Sequence, residues 1–127
     1  MIIKQIKKKK ILLLFITFLI FMATTTSAHP PTGMKLDYNQ TTGTLHIEMR
    51  HVTSNMRKHY IRRILVYKNQ EEPISLAIPQ QTTPSSMVKD IPLKANPKDV
   101  IRVQAFSTDG GSVEETLIIP EPVVPIK

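Results

Sequence analysis

Thr44-Leu45-His46-Ile47-Glu48-Met49-Arg50-His51 alternates without a break. Leu45, Ile47, Met49 and His51 fall on one side, and Thr44, His46, Glu48 and Arg50 on the other. A two-residue period belongs to an extended strand with one face toward a core and the other toward water. The pattern puts His51 on the apolar face and His46 on the polar one. Backwards from this strand, Asn39-Gln40-Thr41-Thr42-Gly43 reads as a turn, and Met34 to Tyr38 as the strand before it. Forwards, His59 to Lys68 is rich in Ile, Val, Leu and Tyr, which suit a pleated, half-buried surface. Further strands are expected at Ile74 to Ile78, Met87 to Leu93, Val100 to Ser107 and Val113 to Ile119. Pro79, Pro84, Pro92 and Pro97 fall at breaks or edges, where a missing N–H is tolerated. Asp109-Gly110-Gly111 is a hairpin turn between the last two strands. No segment of the mature chain sustains a helical period. Seven short strands at this spacing predict an all-β fold, an antiparallel β-sandwich of the immunoglobulin type, without the Cys…Trp…Cys signature of antibody domains.

Three stretches divide the chain. Residues 1–28 read as an export signal. Lys4, Lys7, Lys8, Lys9 and Lys10 form a positive start, and Ile11 to Ala23 is an apolar run short for a membrane span. Thr26 and Ala28 are the small residues a signal peptidase requires. An uncleaved anchor is the alternative. Residues 29–119 are the sandwich, and residues 120–127 a proline-rich tail, Pro120-Glu121-Pro122-Val123-Val124-Pro125-Ile126-Lys127. The expected location is the periplasm or the extracellular space, with no membrane contact after cleavage.

The formal charge of +7 comes largely from the signal. Of the 17 Lys and Arg, the five lysines named above precede Ala28, which leaves 12 against 10 Asp and Glu. A near-neutral mature domain is not a nucleic-acid binder. Arg57, Lys58, Arg62 and Arg63 remain as a local basic cluster, either a solvated strand end or an anion site.

The chain has no cysteine, so no disulfide supports the fold and no thiolate can bind a metal or act as a nucleophile. The 99 residues after Ala28 suffice for one modest core. Four glycines, none in a phosphate-loop pattern, and the lack of a Gly-x-Ser-x-Gly elbow exclude the common nucleotide-binding and hydrolase signatures. Glu71-Glu72 and Glu114-Glu115 are neighbours that point to opposite faces of a strand, which argues against a paired-carboxylate hydrolase. No catalytic residue is assigned.

Histidine chemistry is what remains. His29, the first residue after the expected cut, with His51 and His59, is the candidate metal-binding set. Each has a plainer alternative: a hydrogen-bonded core histidine at 51, the start of a strand at 59, a frayed terminus at 29. His46 is assigned no role.

His29-Pro30-Pro31, His51 closing a strand, His59-Tyr60-Ile61-Arg62-Arg63-Ile64 and Val100-Ile101-Arg102-Val103-Gln104-Ala105-Phe106 together resemble the superoxide reductases, the iron domain of desulfoferrodoxin and neelaredoxin. The resemblance runs over nearly all of residues 29–119. It implies an immunoglobulin-like sandwich and a mononuclear iron centre, held in that family by four histidine nitrogens and an axial cysteine sulfur. His29, His51 and His59 would match three of the histidines. The family's cysteine and fourth histidine fall on Ser107 and Gly110 here. The axial thiolate is the donor that tunes the family's iron, so its absence puts superoxide reduction in doubt; superoxide or a redox partner would be the reactant if the activity were kept.

Two other readings stay open. An N-terminal His29 can chelate copper through its amine and ring nitrogen, as imidazole and amine donors suit Cu(II). A metal-free sandwich can serve as a binding module, with Thr53 to Lys58 and the tail as its contact surfaces.

Overall fold

The computed structural model describes residues 7–11 and 30–126. Residues 7–11 are helical, and no helix among the described residues is long and apolar enough to cross a membrane. Most of the expected export signal, and His29, lie outside the described residues.

Seven strands follow: β1 (Thr32–Asn39), β2 (Thr44–Arg50), β3 (Ile61–Lys68), β4 (Ile74–Ala77), β5 (Ser86–Pro92), β6 (Val100–Ser107) and β7 (Ser112–Ile118). They form two antiparallel sheets, β1-β2-β5 and β4-β3-β6-β7, packed as the expected sandwich. The fourth strand pairs with the third rather than joining the sheet of the first two, as it does in constant-type immunoglobulin domains.

Alternation builds the core. Leu45, Ile47 and Met49 of β2 are fully buried, as are Ile101, Val103 and Ala105 of β6 on the facing sheet, with Ile61 and Ile64 of the adjacent β3 beside them. Burying each of the larger side chains contributes about 1.5–3 kcal/mol. Polar residues of β2 face outward, and there His46 Nδ1 pairs with Asp90 Oδ1 on β5.

Strand order sorts the connections to two ends. One end carries the turns at 39–43, 69–73 and 93–99. Gly43, at φ +64°, closes the first by donating its N–H to Asn39 O, while Asn39 Oδ1 accepts from Thr41 and Thr42. Tyr38 Oη donates to Leu93 O at 2.7 Å and accepts the Ala95 N–H at 3.1 Å. Asn69, at φ +53°, donates to Asp99 Oδ1 and accepts the Val100 N–H.

The opposite end carries the start of the sandwich at Pro30 and Pro31, the 51–60 and 78–85 loops and the β6–β7 turn. The candidate residues gather here. Two boundaries differ from the sequence reading. β2 stops at Arg50, one residue before His51. β3 begins at Ile61, so His59 is a loop residue rather than the first of a strand. Asn55 is the cause: its side chain accepts from the N–H groups of Arg57 and Lys58 and its carbonyl from those of Lys58 and His59, winding residues 55–59 into a turn.

Candidate functional site

His51 continues the inward series of Leu45, Ile47 and Met49 one step past the strand, and is only 2% exposed. Its backbone N–H donates to Ser85 O. Its ring meets Gln81, with Nδ1 2.6 Å from Gln81 Oε1. The Gln81 amide is fixed from its other side, because Nε2 donates to His51 O at 2.6 Å and to Thr83 O at 2.8 Å. Oε1 is therefore the atom turned to the imidazole, and it accepts the proton of Nδ1. With one proton on Nδ1, the lone pair of the imidazole lies on Nε2. Gln81 is itself buried. It lies in a polar run between Pro79 and Pro84 whose sequence gives no period to mark it, so the sequence reading passed over it.

His59 receives the same treatment from a different partner. Its Nδ1 lies 2.7 Å from Asp109 Oδ1 in the β6–β7 turn, with the imidazole about half exposed and the carboxylate largely covered. Here too Nδ1–H donates to the partner, with Nε2 the free ring nitrogen. The two segments are sewn together beside it: Thr108 N–H donates to Tyr60 O, Thr108 Oγ1 donates to Lys58 O, and the Tyr60 N–H reaches Thr108 Oγ1.

Ser107 ends β6 as its last inward residue after Ile101, Val103 and Ala105, and it is fully buried. Among the described residues its Oγ is the buried side-chain polar atom with no hydrogen-bond partner. The turn beyond is tight: Ser107 N–H donates to Gly111 O, and Gly110 sits at φ +88°. A side chain at 110 would be strained there, so the backbone is suited to glycine. Pro30 packs on the same turn. A Cβ added to Gly111 would lie 2.8 Å from Pro30 Cα and 3.4 Å from Ser107 Oγ. Residue 29, next in the chain, lies outside the described residues.

Arg57, Lys58, Arg62 and Arg63 are exposed around this end. None of the four is ion-paired among the described residues, and Arg63 lays its guanidinium 5.0 Å over the Phe106 ring. A cleft beside the start of β1, lined by Gly33, Lys35, Glu48, Met49, Arg50, Ser85 and Ser86, opens nearby but includes neither histidine.

Of the three expected metal-binding residues, the described chain brings His51 and His59 to one end of the sandwich. Among the described residues no group of three or more His, Asp or Glu side chains is close enough to hold a metal ion. The described part of the site offers nitrogen donors: His51 and His59 each have Nδ1 engaged by a neighbour, which is the arrangement that orients histidine ligands. A thiolate-bound metal does not fit, since the chain has no cysteine. His46, paired with Asp90 on the outer face of the β1-β2-β5 sheet, lies apart from this set. Compared with family models and with curated proteins, the chain matches none.

Proposed function

We propose that this is an exported metal-binding protein, with one metal ion held at the Pro30 end of the sandwich by His29, His51 and His59. The observation that carries the reading is the paired fixing of tautomers, by Gln81 on His51 and by Asp109 on His59. Iron is the metal that the resemblance to superoxide reductases favours, and copper is the alternative for an N-terminal histidine.

The ion would supply Lewis acidity or a one-electron couple, and the chain's own residues bind and orient it. The unpaired arginines and Lys58 around the rim would draw small anions such as superoxide toward it. The reading stops at binding and attraction. No cysteine is present to supply the axial sulfur, so superoxide reduction is not proposed for the chain as it stands.

Metal titration of a chain beginning at His29 tests the reading, with Fe(II) and Cu(II) in turn and the triple His29→Ala, His51→Ala, His59→Ala variant as control. About one equivalent bound by the unaltered chain and lost in the variant is expected. Equal uptake by both proteins, or none by either, leaves the sandwich as a metal-free binding module.

A further inference from the structure

We propose that the segment from Pro120 to Ile126 is a peptide ligand carried by the sandwich, read by a groove lined with aromatic rings on a partner protein. The metal-binding reading plays no part in this, and the segment leaves the sandwich at the end opposite His51 and His59. Its root is fixed there. Gln40 Nε2 donates to Pro120 O at 2.6 Å, and Lys98 Nζ lies 3.1 Å from Glu121 Oε1. Beyond that root, residues 122–126 form no helix or strand, and all of them are exposed. Val123 is 93% exposed, Val124 79%, and Ile126 fully. Three large apolar side chains so close together, held in water, mark a surface meant for a partner. A spacer needs stiffness alone, and polar residues would serve it as well.

The sequence sets the shape of this ligand before any partner binds. Proline fixes φ at about −65° at positions 120, 122 and 125, and it disfavours the helical region at the residues before, Ile119, Glu121 and Val124. Between Ile119 and Pro125 only Val123 escapes a proline's constraint, and it is β-branched. Such a chain favours the polyproline II helix, with about three residues per turn. Residues three apart then share an edge. Pro122 and Pro125 form one edge, Val123 and Ile126 the second, and Glu121 and Val124 the third. Two edges are wholly apolar, and the third begins at the carboxylate that Lys98 holds. Pro122-Val123-Val124-Pro125 is the P-x-x-P spacing that aromatic-lined grooves accept. A segment already extended loses little conformational freedom on docking, which favours binding through so small a surface. Lys127, outside the described residues, adds a positive charge two positions after Pro125 and suits a groove with a carboxylate at one end.

The test is a titration of the chain beginning at His29 into an isolated SH3 domain that accepts P-x-x-P-x-Lys ligands, with chemical shifts of that domain's groove as the readout. The double variant Pro122→Ala, Pro125→Ala is run beside the unaltered chain. The unaltered chain is expected to shift the groove resonances, and the variant to bind about tenfold more weakly or worse. The two proteins are expected to melt together, since residues 122–126 are exposed. No shift in the groove at about 1 mM chain overturns the proposal, and so does equal binding by the two proteins. Self-association of the unaltered chain in sedimentation, lost in the variant, overturns it too, by making a second copy the segment's partner. Metal content enters none of these readouts, so failure here and failure of the metal site are told apart.

Discussion

The two ends of the sandwich are built from the same kinds of loop and finished differently. At the end holding Tyr38, Asn39, Asn69 and Asp99, the polar side chains mostly satisfy backbone groups of the turns gathered there, and Asn69 also bonds Asp99 across two of them. At the end holding His51, His59 and Ser107, side chains are fixed by other side chains, and one buried hydroxyl is left over. The first arrangement closes the fold. The second holds two imidazoles by their Nδ1 atoms and leaves one hydroxyl unsatisfied. Strained or unsatisfied groups concentrate where a protein acts rather than where it is held together.

Substitutions at each end sharpen this contrast, beginning with the largest effect. Gln81→Ala removes the acceptor of the buried His51 Nδ1 proton and the donor to two carbonyls. With each orphaned buried group costing about 1–3 kcal/mol, a loss of about 3 kcal/mol is expected on urea unfolding. The same change should weaken metal uptake, because the ring loses its fixed tautomer. Tyr38→Phe at the other end removes one hydroxyl that serves Leu93 and Ala95, for about 1–2 kcal/mol, and should leave metal uptake untouched. Equal effects of the two changes on metal uptake would break the distinction between the ends.

The smallest effect is one of pH. The Asn96 N–H and the Asn69 side chain, with a weaker contribution from Lys68, hold the Asp99 carboxyl below the 3.8 of a free aspartate. A lowered folded-state value means that the unfolded chain takes up the proton first as pH falls. The stabilising contribution is therefore complete above about 3.8 and fades as pH drops through the folded-state value. The gap in melting temperature between the unaltered protein and Asp99→Asn should be widest near neutrality and shrink below pH 3.8. A gap that holds constant in acid would show that the carboxylate's charge is not what Asn69 and Asn96 recognise.

Much of the fold was legible in the chain because alternation and burial have the same cause. Leu45, Ile47, Met49 and His51 read as inward, and all four are buried. Val100 to Ser107 was bounded to the residue. His59 was misplaced onto a strand because Tyr60 and Ile61 extend the apolar run backwards, whereas Asn55 turns the chain through local hydrogen bonds that periodicity does not register. Gln81 was invisible for a different reason. Its burial depends on His51, 30 residues away, and nothing local to a polar run between two prolines announces a distant partner. Ser107 stood out only as a substitution in a resemblance; that its hydroxyl is buried and unpartnered is a fact of three-dimensional packing.

The seating of Pro30 on Gly111 has a consequence for the order in which this molecule comes into being. The two residues are 81 positions apart, so their contact closes almost the longest loop the domain can form. Contacts of such separation are entropically costly until the intervening strands have already paired. Pro30 thus meets its place only after the β6–β7 hairpin, 81 positions further along the chain, has formed.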